Sequence, residues 1–281
     1  MDVTPTVAQT VQSLASEPEA ESVLTFRNVT LGFAGPPVLE DISFSVAPGE
    51  TRIVLGPVGV GKSVLLKLAN GLLRPDEGSI HLFGEDISHM REEDLFALRR
   101  RAGMVFQEGA LFDSLTVRDN VAYQMIQERV ADSEIDARVL EALRFVGLEE
   151  TFSYFPSSLS GGMRRRVAIA RALIHHPDLL LYDSPTGGLD PVTSTNIIEL
   201  IVKQRDVFHT PSLMVTHRLQ DAFTMCTHRF NTQDNGMVPL PEGETDPKTS
   251  FLMLSEGRLI FDGSLGALVR SEDPFVREFL E

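Results

Sequence analysis

The segment Gly56-Pro57-Val58-Gly59-Val60-Gly61-Lys62-Ser63 constrains this chain more than any other stretch. It fits the pattern G-x-x-x-x-G-K-[ST], with the apolar run Thr51-Arg52-Ile53-Val54-Leu55 reading as a strand before it. After it, Val64, Leu65, Leu68 and Leu72 recur on one face and predict a helix to Leu73. Glycines let successive backbone N–H groups close around phosphates, and the helix N-terminus adds positive potential. Lys62 is placed to reach the β- and γ-phosphates, and the Ser63 hydroxyl to meet Mg²⁺.

Length and charge narrow the rest. The chain has 281 residues, enough for one or two compact units with a buried core. Hydrophobic residues at 42% and charged residues at 23% are those of a globular chain, not of a disordered, collagen-like or membrane-spanning one. The formal charge of −15 argues against a broad basic face, so no nucleic-acid partner is expected. One cysteine, Cys226, allows no intrachain disulfide, which fits a reducing compartment. Met1-Asp2-Val3-Thr4-Pro5 lacks the basic and apolar pattern of an export signal, and no apolar run approaches the ~18–20 residues of a membrane helix. Any membrane role is therefore expected to be borrowed from partner subunits.

Residues 1–21, rich in Thr, Ser, Ala, Glu and Gln, read as a disordered tail, and the fold is expected to start near Ser22. Val23–Phe33 and Val38–Val46 read as strands joined through Gly35-Pro36-Pro37, and Pro75–Gly78 turns the chain into a strand from Ser79 to Phe83. Residues 108–159 read mainly as helices, Ala137–Phe145 most clearly. Leu179–Tyr182 is a continuous apolar run suited to a buried parallel strand; a helix over Thr193–Gln204 and a strand over Ser212–Thr216 follow. Alternation of strands and helices predicts a mostly parallel sheet covered on both faces. Asn231–Ser250 is polar and reads as a long loop insertion before a hairpin over Phe251–Asp262. Asp183, ending the apolar run, is positioned as the second-strand carboxylate that holds Mg²⁺ through water.

With these motifs in place, the chain resembles the nucleotide-binding subunits of ABC transporters over about Val23–Asp262. Leu159-Ser160-Gly161-Gly162-Met163 resembles the LSGGQ signature, Gln107 the Q-loop, Gly188-Leu189-Asp190 the D-loop and His217 the switch histidine. Phe33 corresponds to the aromatic residue that stacks on adenine. The resemblance implies an α/β fold: a P-loop NTPase (RecA-like) core with an antiparallel β subdomain and an α-helical signature subdomain. It implies an ATP-binding domain over 22–262, with the helical subdomain at about 108–162, and a helical extension over 263–281. ATP and Mg²⁺ are the implied cofactors. Gly56, Gly59, Gly61, Lys62, Ser63, Val64 and Phe33 would bind nucleotide, while Ser63, Gln107 and Asp183 would hold the metal. Ser160, Gly161 and Gly162, at the start of a helix near Met163, would bind the γ-phosphate held by the opposite chain, with Asp190 and His217 completing the set. A second ATPase subunit, most simply another copy, and integral-membrane permease subunits are the implied partners, on the cytoplasmic face of the inner membrane.

Three stretches sharpen the resemblance: Phe106–Val117 with its Gly-Ala-Leu-Phe, the Met of Leu-Ser-Gly-Gly-Met, and Ser271–Leu280. They look like the MlaF- or Mkl-type ATPases of MCE-type lipid transport systems. That resemblance implies an MCE-domain substrate-binding partner and phospholipid or other hydrophobic cargo. Amino-acid importers share most of the motifs and form the alternative. A soluble ABC protein of ribosomes or DNA repair fits poorly, because a second cassette and long coiled coils are both missing from this sequence.

One position departs from the pattern. Ser184 follows Asp183 where the family has the glutamate that polarises the attacking water. Losing a positioned base costs ~10²–10⁴-fold in rate, so slow turnover with intact ATP binding is expected. Losing a carboxylate also removes repulsion of roughly 3 kcal/mol against the γ-phosphate, at about 5 Å and an effective dielectric near 20, which favours a persistent ATP-bound dimer. His217 and Glu108 are the groups that would substitute as base, and a hydrolysis-deficient regulatory subunit is the alternative reading. Arg164-Arg165-Arg166 reads as solvated arginines, with long-range support for phosphate binding as the alternative. Cys226, His228, His175 and His176 lack metal-ligand spacing, and Asp273–Glu281 is a candidate docking segment for a neighbouring subunit.

Overall fold

A computed structural model describes residues 22–281, so the tail expected over 1–21 lies outside the described residues. Two of the three sheets among the described residues carry the core. An antiparallel sheet has the order β2-β1-β4-β5, built from β1 (Leu24–Gly32), β2 (Pro37–Val46), β4 (Glu77–Leu82) and β5 (Glu85–Asp86). Its strands alternate buried and exposed positions, because only one face meets the core. The larger sheet has the order β12-β11-β3-β8-β7-β6, from β3 (Thr51–Leu55), β6 (Ala102–Val105), β7 (Leu179–Asp183), β8 (Ser212–Val215), β11 (Thr249–Ser255) and β12 (Arg258–Gly263).

All pairings from β11 across to β6 are parallel, and only β12 runs antiparallel at the edge. The central strands are apolar without alternation because helices or the antiparallel sheet cover both faces. Their side chains split between two cores. Ile53, Leu55, Leu180, Tyr182, Met214 and Met253 join one, and Val54, Leu179, Leu181, Leu213, Val215 and Leu252 join the other. The first core is closed by α3 (Val117–Val121), α4 (Tyr123–Gln127), α5 (Asp132–Phe145), α6 (Gly161–Leu173), α7 (Pro191–Phe208) and α8 (Leu219–Thr227). The second lies against the antiparallel sheet, α1 (Lys62–Ala69) and α2 (Glu92–Arg99). The chain ends with α9 (Leu265–Val269) and α10 (Pro274–Leu280), whose Leu268 and Val276 are fully buried in the first core. Asp273–Glu281 is thus packed on its own chain along this face.

The structure corrects two expectations. Helix α1 stops at Ala69: Gly71 takes φ +62°, a left-handed conformation that ends the helix, and Leu72 is left 45% exposed. Asn231–Ser250 is not a structureless loop. β9 (His228–Asn231) and β10 (Gly236–Pro239) pair as a hairpin, and the Met237 N–H donates to Glu199 on α7.

Arg205, 5% exposed, anchors that hairpin: its guanidinium donates to Asp206, to the Met225 carbonyl and, at 2.8 Å, to the His228 carbonyl. Arg205→Ala strands buried carbonyls and the Asp206 carboxylate. It is expected to lower unfolding free energy by about 3 kcal/mol, read as a shift in the urea midpoint.

Candidate functional site

Register alone gathers the site. Val54 pairs with Val215 and Val215 with Asp183, so β3, β7 and β8 end side by side; Val105 at the end of β6 pairs with Tyr182. Gly56, Ser184, His217 and Gln107 therefore leave the carboxyl edge of four neighbouring parallel strands, where such sheets place ligands.

The loop after β3 is built on backbone that side chains resist. Gly56, Gly59 and Gly61 have φ of +149°, +86° and +105°, and a β-carbon on Gly56 would collide with the Leu254 carbonyl. Lys62 opens α1 and is 7% exposed; its Nζ donates to the carbonyls of Gly56 and Pro57, both at 2.6 Å. Burial pushes the Lys62 ammonium down to about 8, against the attraction of Asp183. Ser63 Oγ donates to Asp183 Oδ1 at 3.1 Å, joining the loop to the end of β7. Val64, next on the helix, is half-buried and packs against the second core.

Ser184 is 8% exposed and holds φ at +43°, a left-handed conformation uncommon outside glycine. Its N–H donates to Val215 and its carbonyl accepts from Gly187 N–H, at 2.9 and 2.8 Å, which fixes the turn. Gln107 lies over that turn: a β-carbon on Gly187 would stand 3.3 Å from Gln107 Nε2. His217 is exposed beside the site and makes no side-chain hydrogen bond to the described residues. Phe33, 56% exposed, sits in the bend between β1 and β2, whose residues Val38 and Leu39 abut Gly61.

A second group lies at the start of α6. Ser160 is the N-cap, its Oγ accepting from Met163 N–H at 3.2 Å. Gly161 and Gly162 form the first turn, and Gly162 approaches Thr193 so closely that any β-carbon would collide. Asp190 caps α7, accepting from Thr193 N–H at 3.0 Å, and these hydrogen bonds lower its carboxyl pKa. No hydrogen bond among the described residues joins Ser160–Gly162 to Gly56–Ser63. The structure thus brings Lys62, Ser63, Asp183, Ser184 and Gln107 together and keeps Ser160, Gly161, Gly162 and Asp190 as a separate cluster.

The family model for "ABC transporter" matches residues 39–187, more than half of the chain. This chain belongs to the ABC transporter ATP-binding family. Among relatives of this ABC ATPase, a methionine import ATP-binding protein, MetN 2 of Bacillus cereus, is 41% identical over 236 residues, covering 81% of this chain and 69% of the relative. A probable ribonucleotide transport ATP-binding protein, mkl of Mycobacterium leprae, is 36% identical over 255 residues, covering 90% of this chain and 67% of its own. A dimeric ATP-binding cassette in a post-hydrolysis state with ADP and phosphate superposes with TM-score 0.72 at 27% identity, over 86% of this chain and 98% of that one. CbiO1 of Clostridium perfringens gives 0.74 at 28% identity, over 92% and 94%.

The ABC fold gives several residues near the site partners that sequence reading did not foresee. The arginine run, expected to be solvated, is tied down: Arg165 is buried, and Arg164 and Arg166 are half-buried. Arg164 donates to Leu159 O at 2.6 Å, Arg165 to Phe106 O and Gly187 O, and Arg166 to Val146 O at 3.1 Å. Arg218, beside His217, donates to Ser194 Oγ at 3.0 Å, and buried Thr186 donates to buried Asp221. Their partners are mostly carbonyls, which a sequence pattern does not display.

Lys62 supplies a pH test. Its proton is held to about pH 8 in the folded state against an ordinary value of 10.5, so below pH 8 both states are charged and folding bears the desolvation cost. Between 8 and 10.5 the unfolded chain binds more protons, and stability rises with pH through that window. Relative to the parent, Lys62→Met is expected to lose this rise, measured by urea unfolding across the window.

Proposed function

We propose that this chain is the ATPase subunit of a membrane transporter in which two copies close head to tail over two ATP-Mg²⁺. The observation that supports it most is the Lys62–Ser63–Asp183 group: a buried ammonium beside a hydroxyl and a carboxylate 3.1 Å apart, at the mouth of a glycine-built loop. Hydroxyl and carboxylate oxygens suit Mg²⁺, which would neutralise phosphate charge when bound. On this reading Lys62 exchanges its two carbonyl partners for phosphate oxygens, the Gly56–Gly61 amides hold the β-phosphate, and Phe33 stacks on the base. Ser63, Asp183 and Gln107 hold the metal, and Val64 supports the loop from α1. Ser160, Gly161 and Gly162 then cap the γ-phosphate bound by the second copy, with Asp190 at the contact between copies; the separation of the two clusters within one chain supports that division.

Ser184 brings a hydroxyl, not a carboxylate, to the turn after Asp183, so water activation is left to His217 and turnover is slow. No helix among the described residues is long and apolar enough to cross a membrane. On the proposed reading, as the family resemblance implies, the chain acts on permease partners at the cytoplasmic face of the inner membrane. For cargo, Phe106–Val117 and the Ser271–Leu280 segment support an MCE-type system moving phospholipid or other hydrophobic molecules. The 41% identity to a methionine import protein favours an amino-acid importer as the second reading. Recovery of an MCE-domain protein with the native complex supports the first, and recovery of a soluble amino-acid-binding protein the second.

Steady-state ATP hydrolysis by the purified complex tests the mechanism, with Lys62→Ala as the blank. Ser184→Glu is expected to raise turnover by ~10²-fold or more over the parent chain. A parent rate already far above the blank, unchanged by Ser184→Glu, overturns the slow-turnover reading.

A further inference from the structure

Arg165 is 5% exposed, a charge held almost entirely out of water. It forms no salt bridge among the described residues, though the carboxylates of Glu108 and Asp183 lie near enough to attract its charge. One guanidinium nitrogen donates to Phe106 O at 2.8 Å and the other to Gly187 O at 3.2 Å. Those carbonyls, 81 positions apart in sequence, belong to two loops that leave adjacent strands: Phe106 precedes Gln107, and Gly187 closes the turn that Ser184 opens. The two loops also touch directly, through Gln107 over Gly187. The arginine itself stands on α6, little more than one turn after the Ser160 cap. The far side of the same turn is held independently: Thr186 donates to Asp221, and Arg218 is tied to Ser194 at 3.0 Å.

A buried cation that answers carbonyls from two loops cannot release one without leaving a desolvated charge under-partnered. From this geometry we propose that Arg165 is a positioning residue that fixes Gln107 and the Ser184–Leu189 turn to the helix carrying Ser160, so that the metal-side loops and the phosphate-capping helix move as one unit. The inference rests on the proposed ATP-binding role for its consequence, but its geometry stands without nucleotide. Arg165 touches no reacting atom in this account. Lysine, with one compact ammonium, reaches one loop at a time, whereas the planar fork of arginine spans both.

The test uses the full chain with Arg165→Gln and Arg165→Lys, first without nucleotide, by hydrogen–deuterium exchange. In Arg165→Gln, amides of 106–110 and of 186–190 are expected to exchange about tenfold faster together, while those of α1 stay unchanged; Arg165→Lys is expected to recover one loop only. The second arm adds ATP-Mg²⁺. Affinity for a fluorescent ATP analogue should stay within about threefold of the parent, while nucleotide-induced protection of 186–190 is lost. Unchanged exchange in both loops overturns the proposal, and so does protection of 186–190 that survives in Arg165→Gln. A general rise in exchange that includes α1 also overturns it, since Arg165 would then be a stability residue. If the parent chain binds no nucleotide, the proposed function fails, and the first arm still decides whether Arg165 couples the loops.

Discussion

Parallel pairing of β3, β8 and β7 is the constraint on which the rest of this molecule depends. The pairing Val54 to Val215 to Asp183 sets three chain segments, distant in sequence, to end at one height. A slip of one residue would send every core side chain of the strand to the wrong face, and the division of Ile53 and Leu55 from Val54 between two cores makes that slip costly. Packing therefore fixes the site before any polar group acts. The Ser63–Asp183 hydrogen bond reports the alignment; the apolar strands impose it.

Much of this was legible beforehand because the responsible signals are local. Thr51–Leu55 and Leu179–Tyr182 are uninterrupted apolar runs, and the glycine loop has its own spacing, so the sheet centre and the phosphate-type loop could be placed from residues alone. The helix start beside Ser160 was readable to within two residues through the signature-like Leu159–Met163; the structure places it at Gly161, with Ser160 as its cap. What failed was either end-specific or non-local. Leu72 continues the helical apolar spacing of α1, but the left-handed Gly71 ends the helix first. The β9 and β10 strands are too short and polar to show a pattern, and what holds them is Arg205 and Glu199 on α7.

The arginine run shows the deeper limit. Basic residues at a helix start look solvated, since they oppose the helix dipole there. Here each finds a backbone carbonyl: Arg164 one just before its own helix, Arg165 and Arg166 ones in segments more distant in sequence. Ser184 is similar. Its identity was visible, but its left-handed backbone, held by Val215 and Gly187, was not. The Ser184 hydroxyl is thus set on a backbone that the surrounding turn dictates.

The Lys62 contact with Gly56 and Pro57 carries a thermodynamic meaning of its own. The ammonium is coordinated by two oxygens of its own loop, so a molecule bound there would exchange contacts instead of adding them. A neutral polar ligand would replace carbonyl dipoles with others of similar strength and gain little. A fully charged oxygen gains the difference between a monopole and a dipole, in a place where water screens it poorly. The loop would therefore discriminate by charge and not by hydrogen-bond number.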